Sequence, residues 1–277
     1  MNALNAFKRS FAAIAVAGVV STGALAQQAA PFEPTVGQSG KDVVWVPSPQ
    51  ALVDRMLEMA KIGPNDFLMD LGSGDGRTVI TAAKRGVNAL GIEYNPDMVA
   101  LSKANAAKEG VSEKAQFIKA DLFETDFSKA TVVTMFLLPD INRRLRPKIL
   151  DMKPGTRIVS NTFDMGDWQP DETKEAAGDE CRSYCRALFW IVPAKVDGVW
   201  KTAQGELKLH QKYQRFNGSL TGTGNVVATI TDGKLTGDQV AFTAGGVQYT
   251  GKVTGDTMEG TAKSASGETP FKATRGM

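Results

Sequence analysis

Only two cysteines stand in this 277-residue chain, which excludes a fold held together by a disulfide framework. The single histidine, His210, leaves no His/Cys set at metal-ligand spacing, so no metal is expected. A charge excess is lacking too. The first 26 residues hold Lys8 and Arg9 and no acid, so the formal net charge of +2 falls to zero without them. No basic surplus then remains to displace counterions from a phosphate backbone, and nucleic acid is not an expected partner. Beyond residue 26 no stretch is apolar enough to cross a bilayer. What is there, 42% hydrophobic and 22% charged residues, can bury a core and rules out a wholly disordered chain. The length suits one large domain or two modest ones.

The first 26 residues read as a cleavable signal peptide. Lys8 and Arg9 precede an apolar run from Phe11 to Val20, and Ala24-Leu25-Ala26 has the small-x-small pattern of a signal-peptidase site. An uncleaved anchor is disfavoured, because the run is rich in Ala and Gly and broken by Ser21, Thr22 and Gly23, short of the ~20 strongly apolar residues a spanning helix needs. No Cys follows Ala26, so lipidation there is unsupported. Lys8-Arg9-Ser10-Phe11 bears a weak likeness to a twin-arginine signal, with Lys for the first Arg. The mature chain is therefore expected outside the cytosol, periplasmic or secreted.

Residues 27–42 are a Gln-, Pro- and Gly-rich linker, and 43–195 have the texture of an alternating strand and helix domain. Residues 196–277 differ. From 198 on they carry 14 of the 28 glycines, many threonines and no long helical pattern. Gly233-Lys234-Leu235-Thr236-Gly237-Asp238 recurs 18 residues later as Gly251-Lys252-Val253-Thr254-Gly255-Asp256, with a fainter copy at Gly218 to Gly222. Short strands between Gly-Asp turns predict a meander of seven or eight strands, a small barrel or a sandwich. Trp200, Phe216, Phe242, Tyr249 and Phe271 are expected to be its core. Alternation from Glu206 to Tyr213 places Leu207, Leu209 and Tyr213 on the buried face and His210 in solvent. Formal charge divides as −3 over 27–194 and +3 over 195–277, a weak bias toward docking once salt screens it.

Chemistry concentrates in the first domain. Asp66 to Leu71 is a short apolar run fit for a buried strand, and it feeds into Gly72-Ser73-Gly74-Asp75-Gly76-Arg77 and a helical pattern from Thr78 to Arg85. A nicotinamide fingerprint would space its glycines GxGxxG under a pyrophosphate. Here they are GxGxG, and Asp70 stands just ahead of the first. That acid would repel a pyrophosphate but suits a cofactor bearing an ammonium and a sulfonium. The next strand, Asn88 to Glu93, ends in an acid placed to accept hydrogen bonds from two ribose hydroxyls. A third, Ala115 to Ala120, leads to Asp121, which would accept from an adenine amino group. Taken singly, Asp70 and the glycines would fit a structural turn, Glu93 a cap for the helix after Pro96, and Asp121 an N-cap. Together they fall at successive strand ends, where open α/β sheets bind ligands.

These motifs, DLGSGDGR from Asp70, GIEYNP from Gly91 and ADL from Ala120, resemble the S-adenosylmethionine site of class I methyltransferases. The closer resemblance is to the seven-strand lysine methyltransferases that modify the c-ring protein of ATP synthase and the adenine nucleotide translocase, and to their bacterial relatives. It rests on Val46-Pro47-Ser48-Pro49 with Val53 and Met56-Leu57, Phe136-Leu137-Leu138-Pro139, Lys153 to Ser160, and Phe163 followed by Trp168-Gln169-Pro170-Asp171. The resemblance implies a Rossmann-like sheet with helices on both faces, followed here by the all-β module. It also implies S-adenosyl-L-methionine held by Asp70, Gly72, Ser73, Gly74, Gly76, Glu93 and Asp121, with Val46 to Pro49 over it near the acceptor. Trp168 and Phe163 are expected in the core.

The tetrapeptide Asn/Asp-Pro-Pro-aromatic, common among methyltransferases of adenine or glutamine amino groups, is absent; Phe136 to Asp140 stand in its place. The acceptor implied is a protein lysine, on a membrane or envelope protein if the signal peptide is a guide. Asp140 and Asn161, near the ends of the fourth and fifth strands, are the candidates to orient the amine. A binding protein without turnover and a small-molecule methyltransferase are the alternatives. In an exported protein Cys181 and Cys185, four apart, are expected to form a local disulfide.

Overall fold

Short strands, the central ones mostly apolar, build the centre of the computed structural model, which describes residues 32–178 and 181–276. The signal sequence expected at 1–26 and the start of the linker lie outside the described residues. From Pro34 onward the chain forms one compact unit.

The first helix, α1 (Gln50–Met59), precedes strand β1 (Phe67–Leu71) and helix α2 (Arg77–Lys84). Strand β2 (Asn88–Glu93), helix α3 (Pro96–Lys108) and strand β3 (Ala115–Lys119) follow. Next come β4 (Val132–Met135), α4 (Pro139–Leu150), β5 (Arg157–Asn161), β6 (Glu172–Glu175) and β7 (Arg186–Ile191). They form one seven-stranded sheet in the order β3-β2-β1-β4-β5-β7-β6. The first five strands are parallel and β7 runs antiparallel to β5. Both faces are covered, which is why the strands read as apolar runs and not as alternation. Leu68, Val132 and Val159 pack with Leu52, Leu57 and Val79 of α1 and α2. Their neighbours Met69, Val133 and Ile158 pack with Ile141, Leu145 and Ile149 of α4 on the other face. Reversal of strand order between β1 and β4 opens a crevice at the C-terminal strand ends, the usual ligand position of such sheets.

The second module is an eight-stranded antiparallel barrel. Its strands are β8 (Gly198–Thr202), β9 (Glu206–Lys212), β10 (Arg215–Thr221), β11 (Val227–Thr236), β12 (Gln239–Ala244), β13 (Val247–Thr254), β14 (Thr257–Ser264) and β15 (Gly267–Arg275). Pairing of β15 with β8 closes it and leaves no edge strand to template aggregation. The six-residue echo marks every second hairpin, since Gly237-Asp238 turns β11 into β12 and Gly255-Asp256 turns β13 into β14. Trp200, Phe216, Phe242 and Phe271 are buried inside, and Tyr249 is half-buried against Phe242 at 4.7 Å between ring centroids. His210 is exposed.

Tyr213 departs from the expected alternation. It lies past the end of β9 with φ of 56°, and this left-handed turn aims its ring away from the barrel interior and onto Trp168 of the sheet domain, 5.8 Å between centroids. Its hydroxyl donates to Asp167 at 2.8 Å. Gln214 donates to the Gln169 carbonyl at 2.8 Å, and the Ala194 amide donates to the Gly237 carbonyl at 2.8 Å. The barrel is thus bound to the sheet by a stacked ring pair and satisfied polar groups.

Candidate active site

The turn after β1 starts the site. Asp70 pairs in register with Thr134 of β4, whose hydroxyl donates to it at 2.6 Å. Burial pushes the Asp70 carboxyl up to about 7, with repulsion from Asp75 and Glu93 adding to the effect and the Thr134 bond opposing it. Gly74 and Gly76 have φ of 54° and 85°, a region that side chains with a Cβ disfavour. A Cβ on Gly74 would stand 2.7 Å from Nε1 of Trp45, and one on Gly76 2.7 Å from the ring of Phe117. Glu93, at the end of β2, is held from the protein side. One carboxylate oxygen accepts from the Gly74 amide at 3.0 Å and the other from the Asn95 amide at 2.9 Å, so each retains a second lone pair. The helix after Pro96 is capped by the Asn95 side chain, which accepts from the Asp97 amide, and not by Glu93.

A cavity of about 490 Å³ joins these groups. Asp70, Gly72, Ser73, Gly74, Glu93 and Asp121 all line it. Gly76 does not; it packs helix α2 against Phe117 and Ser102. Asp121 is occupied by the Lys41 ammonium and accepts from the Phe123 amide at 2.9 Å. Bonding to Lys41 holds the Asp121 carboxyl below the usual carboxylate range. Lys41 also lies 4.9 Å from the centroid of the Tyr94 ring.

The rest of the lining includes an apolar, aromatic wall. Met135 at the end of β4 and Phe136 to Leu138 after it, together with Phe163 and Tyr184, supply it. Phe163, expected in the core, is instead half-buried and faces the cavity, because the Ser160 hydroxyl and the Asn142 amide both donate to its carbonyl, at 2.6 and 3.1 Å, and fix the loop after β5. Trp168 is fully buried, its ring 6.1 Å from that of Trp190. Neither candidate for orienting an amine lines the cavity. Asp140 has a side chain 81% exposed and pairs with Arg143 one helical turn on, a consequence of its place in the exposed first turn of α4. Asn161 is buried and donates to the Ser48 hydroxyl at 2.9 Å. Arg77 donates to the Ser48 carbonyl at 2.7 Å while gripping Asp75. Together Asn161 and Arg77 hold Val46 to Ser48 against the cavity wall. Cys181 and Cys185 are bonded to each other, with Cα atoms 5.5 Å apart.

A family model for the ANTKMT methyltransferase domain matches residues 70–172. A protein-lysine N-methyltransferase of Saccharolobus islandicus is 47% identical over 133 residues, spanning 47% of this chain and 83% of its own length. The chain belongs to this methyltransferase family. A Mus musculus lysine N-methyltransferase named for the c-ring protein of ATP synthase is 35% identical over 61% of this chain, which spans 64% of that relative's length. Among solved structures, an RNA methyltransferase of Salinibacter ruber in complex with S-adenosyl-L-homocysteine is 45% identical, with a TM-score of 0.51 over 55% of this chain and 96% of that one.

The site fits the cofactor of this S-adenosylmethionine-dependent methyltransferase. The glycine turn has no room for side chains, the Ser73 hydroxyl is buried without a partner among the described residues, Asp70 complements the positive sulfonium and ammonium that S-adenosylmethionine carries, and Glu93 keeps lone pairs free for hydroxyl donors. Asp70, Glu93 and Asp121 are the residues that would hold it. Sequence reasoning missed Thr134, Lys41, Trp45 and Tyr184. Lys41 and Asp121 are 80 positions apart, and Thr134 meets Asp70 across 64; no local pattern marks such pairs.

Proposed function

We propose that this methyltransferase transfers a methyl group to the ε-amino group of a protein lysine by in-line displacement, and that it does so as an exported protein. The observation that carries the reading is a cavity lined both by three acids at or just after strand ends and by an apolar, aromatic wall, so that cofactor and acceptor would share one desolvated space. The names of the relatives at 47% and 35% identity support lysine as the acceptor. S-adenosylmethionine supplies an electrophilic methyl on sulfonium. The amine must attack as the free base, and at a reference pKa of about 10.4 its deprotonation at pH 7 costs roughly 4.6 kcal/mol. With Asp140 exposed and paired to Arg143, no carboxylate at the apolar wall is assigned as general base. A desolvated position beside the positive sulfonium, together with alignment, would lower that cost.

The test is incubation of the purified mature protein with label-bearing S-adenosylmethionine and fractionated envelope proteins, then mapping of the modified residue. Label on lysine, lost in Asp70→Ala, is expected. A parallel incubation with total RNA addresses the reading that the name of the Salinibacter ruber protein raises, which the absent basic surplus disfavours. Transfer to RNA and not to protein would refute the proposal. The export reading rests on residues 1–26 and predicts the protein in the periplasmic or secreted fraction.

A further inference from the structure

Three aromatic rings from three separate segments meet on the apolar wall of the cavity. Phe136 follows β4, Phe163 follows β5, and Tyr184 belongs to the turn that joins β6 to β7. Centroids of Phe136 and Tyr184 lie 5.2 Å apart, those of Phe163 and Tyr184 5.9 Å, and those of Phe136 and Phe163 6.0 Å. None is buried in a core, and Tyr184 is 40% exposed. Large rings partly open to solvent and clustered on a cavity wall present π faces that attract a cation within about 6 Å of the centroid.

Tyr184 does not reach this position through packing against a core. Its φ is 56°, and it is framed by the bonded pair Cys181 and Cys185. The base of the turn is fixed by the Ala176 amide donating to the Cys185 carbonyl at 2.8 Å. The loop that carries Phe163 is tied to it, since the Thr162 amide donates to the Arg186 carbonyl at 2.6 Å and the Arg186 guanidinium donates to the Thr162 carbonyl at 3.2 Å. A half-exposed side chain on a short turn would otherwise sample several rotamers, and a cross-link at the turn's base removes that freedom from the backbone.

We infer that Phe136, Phe163 and Tyr184 form an acceptor-side subsite for an alkylammonium side chain, and that the Cys181–Cys185 bond is the tether that positions Tyr184 in it. The inference rests on the lysine reading above and adds where the lysine head and its methylated product are held. The rings stabilise the cationic product and the apolar stem.

The experiment uses the oxidised mature protein loaded with S-adenosylhomocysteine and, as probe, Nα-acetyl-Nε-trimethyllysine amide observed by saturation-transfer NMR. Its neutral tert-butyl isostere is the control. Saturable binding of the cationic probe is expected, with the isostere weaker. Binding should fall ~5-fold in Tyr184→Ala, fall similarly in Cys181→Ser/Cys185→Ser, and stay within about twofold in Tyr184→Phe. S-adenosylhomocysteine affinity by calorimetry reports folding and should be unchanged in all three variants. No saturable binding by the wild type, equal binding of the isostere, or indifference to Tyr184→Ala overturns the subsite; full binding by the double serine variant overturns the tether. If the envelope assay maps label to a residue other than lysine while the probe still binds, the lysine reading falls and the cation subsite stands. Lysine methylation with probe binding blind to Tyr184 removes this inference alone.

Discussion

Replacing Asp70 by asparagine should stabilise the protein while disabling it. Asp70 is 6% exposed, and its side-chain hydrogen bond from Thr134 survives in an asparagine of the same shape. Its carboxyl is raised from an ordinary 3.8 to about 7. Below pH 3.8 it is protonated in both folded and unfolded chains and does not affect stability. Between pH 3.8 and about 7 the unfolded chain releases the proton and the folded chain keeps it, so stability falls as pH rises. At about 1.36 kcal/mol per pH unit the loss reaches about 4 kcal/mol at pH 7 and is constant above. Asp70→Asn removes this slope. Denaturant unfolding of cofactor-free protein at pH 5, 6, 7 and 8 should show the variant's advantage growing toward neutrality. Cofactor binding should show the opposite. Wild-type affinity by calorimetry should drop roughly tenfold from pH 8 to pH 6 as Asp70 takes up its proton, and the variant should bind weakly at every pH. A variant no more stable than wild type at pH 8 would refute the reasoning, because burial would then not be opposing the charge.

Lys41→Ala frees Asp121 from an exposed, salt-screened ion pair; S-adenosylmethionine should bind up to ~5-fold more tightly by calorimetry, with less dependence on salt. Gly74→Ala places a Cβ against Trp45 at φ of 54°, which costs on the order of 1–3 kcal/mol; titration should show cofactor affinity down at least ~10-fold with the fold retained by circular dichroism. Trp168→Ala empties a fully buried site that the Tyr213 ring stacks upon, so unfolding free energy should fall by about 3–5 kcal/mol.

Much of the cofactor end was legible because strand-end acids and a glycine turn are local features. The run from Asp70 to Arg77 puts strand, turn and helix within a few residues, and the short runs Asp66 to Leu71 and Asn88 to Glu93 match β1 and β2 almost to the residue. The acceptor end was not legible. Phe163 reads as core from its hydrophobicity alone, and only the bonds from Ser160 and Asn142 to its carbonyl turn it toward the cavity. Asp140 sits at a promising sequence position after β4, yet the phase of α4 points it to solvent. Tyr213 follows the alternation of β9 until a left-handed turn takes it out of phase.

By itself the sequence determined the strands and the glycine turn around residues 66–121, the β character of the last eighty residues and the place of the acids at 70, 93 and 121 at or just after strand ends, because short-range periodicity and turn residues act over a few positions. Tertiary structure alone decided that the meander closes into a barrel, that Thr134 lowers the charge burden of Asp70, that Lys41 sits on Asp121, and that Phe136, Phe163 and Tyr184 share one wall. Each of these depends on register and packing between segments from 21 to 80 residues apart, and contacts over such separations follow from how the two faces of the sheet are filled, not from any local pattern.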